Sequence, residues 1–144
     1  MSELRARADA RLDEALERDA VLDPRDGYRE RLKLLRTRDQ DAFEEARRYY
    51  EEVLVPRVAA PDSDPILEWF EYGRRLAELE GDGRVVAIDE TGKASDYSPP
   101  FPRGALILFL PQDPKVSAFA LNTPRHLSPA QAANYALLVE RRVR

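Results

Sequence analysis

Covalent or acid–base chemistry requires a nucleophile, a proton carrier or a metal set, and this sequence is sparing with all three. Cysteine is absent and histidine occurs once, as His126. Thiolate catalysis, zinc–thiolate sites, iron–sulfur clusters and most imidazole metal sites are thereby excluded. His126 lies in Thr123-Pro124-Arg125-His126-Leu127-Ser128, directly before a strong helix start. That context reads as a surface loop, with a catalytic base as the competing role. Ser128 serves better as a helix cap than as a nucleophile, and no Gly-x-Ser-x-Gly elbow is present.

Carboxylates are plentiful but poorly arranged for a metal. Glu44 and Glu45, like Glu51 and Glu52, are sequence neighbours on helical segments, and adjacent helix positions do not face the same way. Asp62 and Asp64 lack the central Gly and terminal Glu of a calcium loop. Asp41 and Asp64 are accounted for as helix caps. Asp89, in Asp89-Glu90 at a strand end where a cleft could form, joins His126 as a candidate catalytic residue. Gly81-Asp82-Gly83 leads out of a helix into a strand and has no Lys-Ser or Lys-Thr after it. It therefore reads as a helix terminator and not a phosphate loop. No metal site and no cofactor is expected.

The aromatic residues gather at Tyr49-Tyr50 and at Trp69-Phe70-Tyr72. Neighbouring helix positions diverge by about 100°, so each group is expected to send one ring into the core and another to the boundary. Core packing is the leading role for Tyr50, Trp69 and Phe70. Tyr49 and Tyr72 fall off the apolar stripes and, with Phe101 in a Pro-rich connector, are candidates for a partner surface. Trp69 and Tyr97, together with Asp89 and His126, are the candidates for a ligand pocket between helices and sheet.

The elements that must position these residues follow from periodicity and punctuation. From Glu3 to about Asp19, Leu4, Ala8, Leu12, Ala15 and Leu16 form one apolar stripe. Leu22-Asp23-Pro24 stops this helix. A second helix is predicted over 26–36 with Tyr28, Leu32 and Leu35 buried. Asp41 followed by Glu44 has capping-box spacing and opens a third helix that ends around Pro56. Asp64-Pro65 opens a fourth, burying Ile66, Trp69, Phe70, Leu76 and Ala77 until Gly81.

Short apolar runs then replace helical patterns. Residues 84–121 read as an antiparallel meander: Val85 to Ile88, a turn at Asp89-Glu90-Thr91-Gly92, a polar return from Lys93 to Tyr97, and a hairpin from Ala105–Leu110 and Val116–Leu121. Ser128-Pro129-Ala130-Gln131 combines a cap, a first-turn Pro and a capping-box Gln. It opens a last helix over 128–142, predicted to bury Ala133, Leu137 and Leu138 on the sheet with Tyr135 near the margin. Arg141 and Arg142 carry the favoured sign for its end.

The expected fold class is thus α+β in a single domain, 1–144: about four helices in residues 1–80, a small antiparallel sheet, and a closing helix. The chain has 144 residues with Lys+Arg 23 against Asp+Glu 27, a net charge of -4. Residues 1–80 carry 15 basic and 21 acidic groups, and residues 81–144 carry 8 and 6. Neither part is a basic module, and Arg29, Arg31, Lys33, Arg36 and Arg38 spread around a helix instead of forming a stripe. Nucleic acid is therefore not an expected partner. No apolar run approaches the roughly 20 residues of a membrane span, and the charged N-terminal residues lack a secretory h-region. A cytoplasmic location without membrane association is the expectation.

Strands that do not alternate apolar with polar residues should be covered on both faces. The closing helix can supply the second cover, and so can a second copy of the chain. A non-enzymatic module acting through a homodimer or a protein partner is therefore the leading functional expectation. A ligand-binding protein or acid–base enzyme is the alternative.

Overall fold

The computed structural model describes the backbone of residues 2–143 and the side chains of residues 2–138. Arg141 and Arg142 lie outside the described side chains. The fold is α+β, with a helical segment, a four-stranded antiparallel sheet and a C-terminal helix. The chain falls into two compact units. One holds the chain up to Asp19 and from Asp23 to Leu79; the other holds Ala20–Leu22 and everything described from Glu80 onward.

In the helical unit, α1 (Glu3–Asp19) buries Ala8, Leu12, Ala15 and Leu16. Leu4, the first residue of the expected stripe, stays exposed in the opening turn. Leu12 and Leu16 each contribute about 1.5–3 kcal/mol on burial. Arg11 fastens α1 to the end of α4 (Val55–Ala59): its Nε donates to the Val58 carbonyl at 2.8 Å and its Nη2 to the Ser63 carbonyl at 3.0 Å. The Val58 carbonyl is one of those left open where a helix ends.

α2 (Arg25–Arg38) and α3 (Gln40–Tyr49) are separated by a single residue, Asp39. Its N–H donates to Leu35, closing α2, while its carboxylate accepts from the Ala42 N–H at 3.1 Å. Asp39, not Asp41, is therefore the cap, because α2 runs two residues further than its apolar pattern and leaves Asp41 inside the first turn. Nor does α3 end at Pro56. The chain winds through a π-helical stretch, Tyr50–Leu54, in which the Val55 N–H bonds to the Tyr50 carbonyl, and continues into α4. Pro56 sits in the first turn of α4, where its missing N–H costs little. The helical segment thus holds five helices instead of about four. α5 (Pro65–Glu80) is capped by Asp64, as its Asp-Pro start requires.

In the second unit, β1 (Gly83–Ile88), β2 (Ala94–Asp96), β3 (Leu106–Pro111) and β4 (Phe119–Asn122) pair antiparallel in the order β2-β1-β3-β4. The Pro-rich connector carries the chain from β2 past β1, so β1 and not β2 lies beside β3. Gly83 is required there: a Cβ would lie 2.5 Å from the Phe109 ring and 2.7 Å from the Leu110 carbonyl oxygen. β3 is buried from Leu106 to Phe109. Residues 20–22 join this unit, with the Leu22 N–H donating to Thr123 and the Arg125 N–H to Ala20.

α6 (Pro129–Val143) opens with the capping box its sequence announces: the Gln131 N–H donates to Ser128 Oγ at 3.1 Å and the Ser128 N–H to Gln131 Oε1 at 2.9 Å. It rests on the sheet by Leu138, which packs with Leu127 against Val86, Ile88, Leu106 and Leu108. The face it turns inward is led by Gln131 and Asn134. Gln131 Nε2 donates to the Ile88 and Gly104 carbonyls, both at 3.1 Å, and Asn134 Nδ2 to the Gly92 carbonyl at 2.6 Å. Ala133 and Leu137, expected inside, are exposed for that reason: they lie off the face these amides define. No helix among the described residues is long and apolar enough to cross a membrane.

Candidate functional site

Four helical elements of the first unit converge on a cavity of about 400 Å³. The spacing on each explains how. α1 offers Arg5 and Asp9 one turn apart; α2 offers Arg25, Tyr28, Arg29 and Leu32; α3 and the π stretch offer Phe43, Arg47 and Tyr50; α5 offers Trp69 and Tyr72. Each set follows three- and four-residue steps, so each occupies one helix face. The π turn begins at Tyr50, where a local change of helical winding re-aims side chains, a frequent feature of functional sites.

The inner wall is aromatic. Tyr28 stacks on Trp69 with centroids 6.1 Å apart and meets Tyr72 edge-on at 5.8 Å. Trp69 meets Tyr72 edge-on at 5.7 Å, and Tyr50 leans on both at 6.1 and 5.9 Å. Tyr49 stacks on Tyr72 from outside the cavity, 5.9 Å away and nearly parallel. Each such pair adds about 0.5–1.5 kcal/mol beyond its buried area, so the wall is rigid. Tyr72 is 1% exposed, and its hydroxyl has no hydrogen-bond partner among the described residues. Burial pushes the Tyr72 phenol well above its usual range, with Tyr50 adding to the effect. The fully buried Tyr28 phenol is raised in the same way. Both remain neutral at physiological pH and neither can act as a base.

The rim is charged and mostly paired. Arg25 lies among three carboxylates: Asp23 at 2.8 Å, Asp9 at 3.6 Å, and Asp13, which it also contacts. Burial alone would raise the Asp23 carboxyl, but bonds from the Arg25 side chain and backbone outweigh it and hold the group below the usual range. Arg29 pairs with Asp26 at 3.0 Å, and Arg47 with Glu44 at 2.9 Å and Glu51 at 3.3 Å. Arg5 lies over the Tyr50 ring, 5.4 Å from its centroid.

No protein-family model, curated protein or solved structure matches this chain. The chemistry of the cavity therefore rests on its own geometry. Among the described residues its lining contains no His, Cys, Ser, Thr or Lys. It offers aromatic surface and a ring of guanidinium and carboxylate groups, a combination suited to holding a ligand.

Of the residues singled out by sequence, Trp69 and Tyr72 line the cavity. Tyr72 is not the exposed anchor its position suggests. It is three residues from Trp69 and shares its face, a spacing obscured by reading Trp69-Phe70-Tyr72 as one run. Tyr49 is half-buried behind the wall. Asp89, Tyr97, Phe101 and His126 belong to the other unit. Asp89 staples its turn, accepting from the Thr91 hydroxyl at 2.6 Å, the Thr91 N–H at 2.9 Å and the Lys93 N–H at 3.1 Å; the Thr91 bond is the chief reason its carboxyl is lowered. The Tyr97 N–H donates to Val85 at 2.8 Å. Phe101 is half-buried and His126 exposed.

Tyr28, Tyr50, Arg5 and Arg25 were not read as site residues. The available signal was the recurrence of aromatic and Arg positions at helical spacing on separate helices. In the basic run of α2, Arg31 is buried, Lys33 pairs with Glu30, and Arg36 covers the Phe43 ring.

Proposed function

We propose that the helical unit is a non-enzymatic binding module whose cavity takes a small organic ligand with a flat ring. The observation that carries this reading is the cavity of about 400 Å³ in which Tyr50 and Trp69 meet a rim of guanidinium and carboxylate groups. The rigid aromatic faces supply area at low entropic cost.

Trp69 is the single tryptophan of the chain, so its fluorescence reports on the cavity alone. Single-ring aromatic compounds are expected to shift or quench that emission saturably. At about 100 times their Kd they should also stabilise the fold by about 2.7 kcal/mol. Unchanged emission and an unchanged melting temperature with every ring compound would refute the proposal.

A second reading is favoured by a different observation. Leu137 of α6 is 53% exposed, and symmetric self-pairing is the commonest way an oligomer covers such a side chain. Under this reading the chain forms a homodimer through α6. Its mass by light scattering doubles with concentration, and Leu137→Glu returns it to one chain. A single-chain mass at all concentrations contradicts it.

A further inference from the structure

Among the charged groups that line the cavity, one stands apart. Asp9 and Asp23 are engaged by Arg25, Asp26 by Arg29, and Arg47 by Glu44 and Glu51. Among the described residues no carboxylate comes within ion-pair distance of Arg5, whose guanidinium lies over the Tyr50 ring at the cavity. Its position compounds the imbalance. The Arg5 N–H is bonded to Ser2 Oγ at 3.1 Å, so the residue belongs to the first turn of α1. There the helix dipole is positive and disfavours a cation. An anion at this point would meet both the guanidinium and the helix end.

We infer that the ligand is an aromatic monoanion, a ring bearing one carboxylate, with its ring on the Trp69–Tyr50 wall and its carboxylate on Arg5. This rests on the reading of the cavity as a ligand site and adds the sign and number of charges. A carboxylate suits the flat guanidinium, which bonds it through two parallel N–H groups. A cationic ligand is disfavoured because it would be repelled by the Arg5 guanidinium, and the lining carboxylates are engaged by arginines. A ligand with no charge leaves Arg5 as it is.

The test compares 3-phenylpropionate, 3-phenylpropanamide and 2-phenylethylammonium, which share a ring and differ in charge, by quenching of Trp69 in the full chain. The anion should bind about tenfold more tightly than the amide, the equivalent of about 1.4 kcal/mol, and its advantage should shrink as salt is added. Arg5→Gln should remove that advantage, bringing the anion down to the level of the amide in the same variant, while Arg5→Lys keeps part of it. Arg5 is exposed, so the variants fold as the parent does. Equal binding of anion and amide, or tighter binding of the ammonium, overturns the inference while leaving the cavity reading intact. Silence of Trp69 toward all three probes overturns both.

Discussion

Replacing Tyr72 by Phe should make this protein more stable. The substitution keeps the ring and its contacts with Tyr28, Tyr49, Tyr50 and Trp69, all with centroids within 6 Å, and deletes only a hydroxyl that is buried without a partner. Leaving such a group unsatisfied costs about 1–3 kcal/mol, and the small void created by its removal returns part of that. A net gain of about 1 kcal/mol follows. With an unfolding entropy of about 2.1 cal/mol/K per residue, that gain raises the melting temperature of a chain this size by about 3 °C. Urea unfolding should show the same change as a higher midpoint at unchanged slope. Tyr72→Leu, which discards the ring, should instead cost about 2–4 kcal/mol. If Tyr72→Phe destabilises the protein by about 1 kcal/mol or more, the hydroxyl has a partner in the folded state and the reasoning fails.

Three further outcomes are expected. Gly83→Ala should destabilise by about 1–3 kcal/mol in thermal unfolding, since its Cβ would press on the Phe109 ring and the Leu110 carbonyl; a neutral result would mean that β1 and β3 separate easily at that end. Gln131→Leu should cost about 2–4 kcal/mol by urea titration, because Ile88, Gly104 and Ser128 lose their partner together; a change below 1 kcal/mol would show that these groups are satisfied elsewhere. Asp23 is held below the ordinary aspartate value of 3.8 by Arg25, so the folded state binds fewer protons there than the unfolded state. Its contribution is complete above about pH 5 and lost as pH falls through the folded value. Asp23→Asn should therefore flatten the acid side of the stability–pH profile, and an unchanged profile would show the pair to be inert.

Much of the fold was legible where one local rule acted alone. The α1 stripe, the Asp64-Pro65 start, the Ser128 capping box and the all-apolar β3 each state their structure in a few residues. The misreadings arose where a longer-range interaction overrode a local signal. Pro56 stops no helix because the π winding before it absorbs the missing donor. α6 turns Gln131 and Asn134 inward because buried loop and strand carbonyls need donors, a demand invisible in an apolar pattern. Residues 20–22 pair with residues about a hundred positions away, and no local signal announces that.

The site was legible only in part. Trp69 was marked, but the positions that surround it come from four helical elements. Their shared face becomes visible only once those elements converge. The basic run of α2, considered by itself as a surface for phosphates, instead divides its members among burial, an aromatic contact and ion pairs.

The most direct test of the ligand-binding account is a map of backbone and indole N–H resonances during titration with 3-phenylpropionate. The account predicts saturable shifts confined to Arg5, the Tyr28 turn of α2, Tyr50, and the Trp69–Tyr72 stretch of α5, with β1 to β4 unmoved. Shifts that are absent, unsaturable, or centred on the sheet would contradict it.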